Sequence, residues 1–212
     1  MSATEARPRS PVRVVLRFIA SVMIVSGLLL IGDAGMTLAW QEPVSAFLAD
    51  QEQAQLKKEL DHPPPRVIAR NPLPGDAIGE IQMPTIDKSA YVVEGTDTDD
   101  LRKGPGHYAD TPMPGERGTV AIAGHRTTHG APFRNVDKLE RGDRIVLQLP
   151  YGSFVYRVER TQIVEPTALW VTNRVKYDRL VLSACHPLYS AAQRLIVFAR
   201  FVRRGYSSVG RD

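Results

Sequence analysis

Residues 179–202 read RLVLSACHPLYSAAQRLIVFARFV. Two runs rich in branched and aromatic residues, RLVLSA at 179–184 and RLIVFARFV at 194–202, flank a short polar loop. That is the pattern of two β-strands. Pro187 ends the first strand, because proline has no N–H to give to a sheet ladder. If the loop returns the chain antiparallel, the start of the second strand lies beside the end of the first. Cys185, closing the first strand, and Arg194, opening the second nine residues later, then face each other across the pair.

Working outward, the same signature recurs at IGEIQM (78–83), AYVVEG (90–95), TVAIAG (119–124), RIVLQL (144–149) and SFVYRVERTQIV (153–164). PYGS at 150–153 predicts a turn joining the last two. The alternation in FVYRVER gives one buried and one solvated face. TDTDDLRKG (96–104) and VDKLERG (136–142) predict short helices. Seven or so strands between Asp76 and Arg203, with little helix, predict an all-β domain, either an antiparallel sandwich or a closed barrel.

The N-terminal segment has a different composition. Arg7, Arg9, Arg13 and Arg17 precede an apolar run that starts at Phe18 and continues past Asp33 to Trp40. About 20 residues cross the hydrocarbon core of a bilayer. Residues 18–40 are therefore read as a transmembrane anchor, with Asp33 near the outer interface and Trp40 in it. Arginines on one side place residues 1–17 in the cytoplasm and everything after Trp40 outside the cell membrane. A cleaved secretory leader is the competing reading, and either one exports the domain. Residues 41–75 form a spacer. PVSAFLADQEQAQLKKELD (43–61) has apolar groups at helical spacing, and it either packs on the domain or stands as a stalk. HPPPRVIARNPLPG (62–75) predicts semi-rigid, extended polyproline backbone. Residues 204–212 are a short C-terminal tail.

Composition narrows the function. The chain has 212 residues, with 27 basic and 23 acidic, for a net charge of +4. Half of that charge belongs to residues 1–40, where four arginines oppose Glu5 and Asp33. No localised basic face remains to argue for nucleic acid. The single cysteine rules out an internal disulfide framework, a CxxC redox pair and a multi-cysteine zinc site. His107, His129 and His186 have no second cysteine to complete a metal site, so neither metal nor cofactor is expected. Cys185 is then either an inert small hydrophobe or a reactive thiol.

His125 helps decide between these. It ends the apolar strand TVAIAG and opens the polar loop RTTHGAPF. Alone, a histidine there is an ordinary structural residue, and Arg194 alone is a solvated cation. Together with a strand-end thiol they meet the needs of acyl transfer. A nearby cation favours the thiolate. A histidine serves as general acid for a leaving amine, and a guanidinium supplies donors for a developing oxyanion. An exported, non-catalytic β-barrel for binding or scaffolding is one alternative. An L,D-transpeptidase-like enzyme is another, although it would want histidine and glycine immediately before the cysteine.

LVLSACHPLYSAAQRLIVFAR and AIAGHRTTHGAPF resemble the cysteine and histidine segments of sortases, the cysteine transpeptidases of Gram-positive cell surfaces. With GPGHYADTPMPGERGTVAIAGHR, the likeness is greatest to class E sortases of Actinobacteria and covers roughly residues 76–203. One departure stands out: the usual T-L-x-T-C reads Val181-Leu182-Ser183-Ala184-Cys185 here, without either threonine. The resemblance implies an eight-stranded sortase-type β-barrel. It implies that Cys185 attacks the Thr–Gly carbonyl of a C-terminal sorting signal on a secreted protein, that His125 protonates the leaving amine and that Arg194 holds substrate and oxyanion. It implies a peptidoglycan-precursor amine as acceptor and an LAXTG-like signal, with LPXTG the alternative. Tyr108 occupies the place of a tyrosine associated with that preference, and its bland reading is a partly buried loop aromatic. Leu182 and Ala184 are further candidates for substrate contact. A monomer is expected.

Overall fold

The structure is a computed structural model that describes residues 11–39 and 43–205. The tail expectations for residues 1–10 and 206–212 and the interfacial Trp40 lie outside the described residues. The chain divides into two units, Met1–Gln41 and Glu42–Asp212.

In the first unit, helix α1 runs Pro11–Ala39. It begins seven residues earlier than the apolar run alone suggests, because Pro11 suits a first helical position and arginine is a good helix former. Its Pro11–Met36 stretch, 26 residues long and holding an 18-residue window of mean hydropathy 2.5, is long and apolar enough to cross a bilayer.

The second unit is a closed barrel. Its strands are β1 (Ala77–Met83), β2 (Lys88–Glu94), β3 (Gly106–His107), β4 (Thr119–Ala123), β5 (Arg144–Leu149), β6 (Gly152–Val164), β7 (Arg179–His186) and β8 (Gln193–Gly205). They run in the order β1-β2-β3-β4-β7-β8-β6-β5, and β5 closes onto β1. Two joints are parallel, β2 with β3 and β4 with β7, so the sheet is not wholly antiparallel. All seven strands read from sequence are present, and β3, with two residues, is too short to leave a periodic signal.

The barrel interior is filled from every wall. Ile81, Met83, Ile122, Ile145, Leu147, Phe154, Tyr156, Leu180 and Val197 are almost wholly buried there. A second apolar layer lies outside the β4-β7-β8 wall, where Ala121, Val181, Ile196 and Phe198 are covered by Val171 and by parts of Tyr108, Val164 and Ala168. The two layers follow from strand periodicity, since successive side chains point to opposite faces. Arg160 and Arg179 lie 4.0 and 5.1 Å from the Phe198 ring centre, and Trp170 stacks on it at 6.2 Å.

The spacer is part of this body. Helix α2 (Pro43–Asp61) buries Ala49 and Leu56, the latter against Ala77 and Val93. Its Gln53 pairs with the backbone as a strand would: Oε1 accepts from Tyr91 N–H at 2.7 Å, and Nε2 donates to Tyr91 O at 3.0 Å and Lys103 O at 2.7 Å. The proline-rich segment is not wholly extended. Pro65–Ile68 forms one helical turn, α3, which tolerates proline at its start, and it buries Val67 completely. Arg66 grips Asp76 with two bonds of 2.7 Å. Helix α4 spans Thr98–Lys103, where a short helix is expected, and 136–142 contributes a single 3-10 turn, Val136–Lys138.

Candidate active site

Register brings the three expected residues to one end of the barrel. On the antiparallel β7/β8 pair, Cys185 is directly opposite Arg194. On the parallel β4/β7 pair, Ala123 is level with Ser183, and Gly124 N–H donates to Ser183 O at 3.0 Å. His125 stands two residues beyond Ala123, as Cys185 stands two beyond Ser183, so both follow the last shared rungs of this pair. Cys185 is a free, half-buried thiol. Arg194 is half-buried, with Val164 on its other flank, and its Nη1 donates to Ala191 O at 2.9 Å and Gln193 O at 3.0 Å.

The turn that carries His125 is closely built. A Cβ on Gly124 would meet the Phe133 ring at 2.5 Å, so only glycine fits beneath that ring. Phe133 N–H donates to His125 O at 2.9 Å and closes the loop. His129, Gly130 and Ala131 in this loop, and Tyr189 in the β7/β8 loop, all have φ between 42° and 70°. Such backbone is costly for non-glycine residues and is held by its surroundings. The His129 ring stacks on His125 at 4.9 Å. Burial first, and repulsion from His129 second, hold the His125 imidazole below its ordinary 6.5. That favours the neutral ring, which can accept a proton and later give it back.

Tyr108 follows β3 and packs on the outer layer with Val181 and Ile196, the face that also carries Cys185 and Arg194 by strand alternation. Leu182 and Ala184 are placed differently. Both point into the barrel core, 1% and 3% exposed, on the side opposite the thiol. Two-residue alternation along β7 makes them packing residues, which corrects the substrate-contact expectation. The other histidines also find places. His107 is buried, with Nδ1 2.8 Å from the Glu94 carboxylate and Nε2 3.1 Å from Thr111 Oγ1. Thr111 in turn donates to Tyr108 O at 2.8 Å.

One group near the site has no place in the sequence reading. Arg126, adjacent to His125, is only 3% exposed. In sequence it is one arginine in a polar loop, and its burial depends on contacts that only the folded chain creates. Among the described residues, no group of three or more His, Cys, Asp or Glu side chains is arranged to hold a metal ion.

A thiol, an imidazole and a guanidinium at neighbouring strand ends of a closed β-barrel define a class of cysteine acyl-transfer enzyme. A family model, Sortase domain, matches residues 81–202. Sortase D of Bacillus subtilis (strain 168) is 33% identical over 85% of this chain and 96% of its own length. Sortase SrtE1 of Streptomyces coelicolor is 28% identical over 98% of this chain, which spans 63% of that longer protein. Among solved structures, sortase E1 of Streptomyces coelicolor with a tripeptide in the active site superposes with a TM-score of 0.61 at 30% identity, covering 66% of this chain and 97% of that one. A Clostridium perfringens sortase D5 transpeptidase gives 0.63 at 26% identity, over 74% and 99%. The chain belongs to the sortase family of cysteine transpeptidases, which act on proteins bearing sorting signals and on cell-wall precursors. The family removes the non-catalytic barrel and the L,D-transpeptidase as readings.

Proposed function

We propose that this sortase is of class E type, held in the cell membrane by α1 with its N-terminus in the cytoplasm. It cleaves an LAXTG-like C-terminal signal between Thr and Gly and passes the protein to a cell-wall precursor amine. The observation that carries the reading is the register: Cys185 stands opposite Arg194, at the end of a strand whose β4 partner leads into His125. The Cys185 thiol passes its proton to His125 as its sulfur attacks the threonine carbonyl, and the Nε and Nη2 donors of Arg194 stabilise the tetrahedral oxyanion that forms. The C–N bond breaks as protonated His125 gives its proton to the leaving glycine amine, leaving a thioester on Cys185. The acceptor amine then attacks the thioester, and His125 takes its proton and returns it to the departing Cys185 sulfur. The tripeptide held by the Streptomyces sortase E1 active site supports a peptide ligand at the equivalent strand end. Tyr108 lies on the same outer layer and is assigned to the signal's second position.

The test is cleavage of fluorogenic LAXTG and LPXTG peptides, with a glycine or diamino acid amine as acceptor. LAXTG is expected to turn over faster, Cys185→Ala to be inactive, and Tyr108→Ala to narrow the difference between the peptides. Slow alkylation of Cys185, with cleavage retained in Cys185→Ala, would overturn the site. Equal turnover of both peptides, unchanged in Tyr108→Ala, would overturn the specificity.

A further inference from the structure

The β4/β7 ladder ends where the chemistry begins. Its last backbone rung is Gly124 N–H to Ser183 O. The next acceptor on that edge of β7 is the Cys185 carbonyl, and the next donor in a continued ladder would be the Arg126 amide. The chain turns away at His125, and the rung is made by the Arg126 side chain instead. Nη1 donates to Cys185 O at 3.4 Å and lies 3.5 Å from His186 Nδ1. The same guanidinium reaches the far end of the histidine loop, donating to Arg134 O from Nε at 3.3 Å and from Nη2 at 3.2 Å. Nη2 also lies 3.0 Å from Asp137 Oδ1, in the 3-10 turn.

A cation this buried persists only when it is paired and its donors are filled. Arg126 meets both conditions, and its partners belong to two separate parts of the site. Individually these bonds are long and modest. Together, the planar fork holds the nucleophile strand and both ends of the histidine loop at one spacing, which a point charge on a flexible stem does not do. We propose that Arg126, neutralised by Asp137, is a positioning residue for acyl transfer: it holds the Cys185 backbone level with His125. It has no contact with substrate in this role and acts through the two groups that do. The inference rests on Cys185 and His125 carrying the reaction.

The experiment uses the full chain in detergent micelles, with cleavage of the LAXTG peptide and alkylation of Cys185 by iodoacetamide measured side by side. A displacement of about 1 Å in reacting groups costs about 100-fold in rate. Arg126→Gln is accordingly expected to lower kcat by about 30- to 100-fold with KM within about twofold. Arg126→Lys, which keeps the charge and one donor, regains part of that loss. Asp137→Asn, at a half-exposed position, is expected to lower kcat about fivefold, the size of a single coupled contact. Alkylation should stay within about twofold of wild type, because it needs the thiol but not its alignment. Accelerated alkylation alongside the fall in kcat would mean that the variant has merely loosened the fold, and would overturn the proposal. So would an unchanged kcat in a folded Arg126→Lys, or a KM that rises in step with the loss. If the Arg126 variants do not fold, Asp137→Asn decides, and full kcat there overturns the proposal. Activity retained in Cys185→Ala would sink the site reading itself, whatever the Arg126 variants do.

Discussion

Two imidazoles in contact make His125 a sensor of its own loop. Its neutral form is favoured in the folded chain, because burial and the stacked His129 ring both oppose a positive charge. Over the range between its lowered value and 6.5, the unfolded chain binds more protons than the folded one. The contribution of His125 to stability is therefore present above 6.5 and lost as pH falls below it. In a histidine NMR titration the His125 midpoint should fall below 6.5. His129→Ala should raise that midpoint without restoring it fully, since burial is the larger cause. A midpoint unmoved in His129→Ala would remove the second ring from the account.

Helix α2 and strand β7 show what local pattern conveys and what it does not. Cys185 opposite Arg194 was legible, because two runs with a short loop between them fix an antiparallel register. The placement of Leu182 and Ala184 is a matter of parity along β7, and the motif that drew attention to them does not encode it. The docking of α2 was open between packing and a stalk, because Gln53 reads as one polar residue among many on that helix. Its value lies in Tyr91 and Lys103, 38 and 50 residues away. Gln53→Ala should cost about 1–3 kcal/mol, the usual loss when part-buried backbone groups forfeit a partner. That would lower the thermal midpoint by roughly 2–12 °C for a domain of this size, and hydrogen exchange at the Tyr91 amide should quicken. Gln53→Glu should be worse, because it sets a carboxylate against two carbonyls.

Closure of the whole barrel depends on its shortest joint. Strand β3 joins β2 to β4 with two residues, and the buried Glu94–His107 contact of 2.8 Å crosses that joint. Removing one partner of a buried pair strands the other, a loss of about 3 kcal/mol, or roughly 6–12 °C in thermal midpoint. Glu94→Gln should show it in thermal unfolding, and the double apolar change Glu94→Leu with His107→Phe should recover most of it. An unchanged midpoint in Glu94→Gln would remove this contact from the account of closure. Where β3 runs out, the Tyr108 amide and the Thr111 hydroxyl fill the β4 backbone at Ala121. Among the described residues the strands follow one another round a closed cylinder, which leaves an arriving polypeptide little open edge to extend as a ninth strand. Its identity must then be read through side-chain pockets and loops rather than through main-chain ladders. Exchanging a few outward-facing side chains is therefore the route to a different guest, with the cylinder left intact.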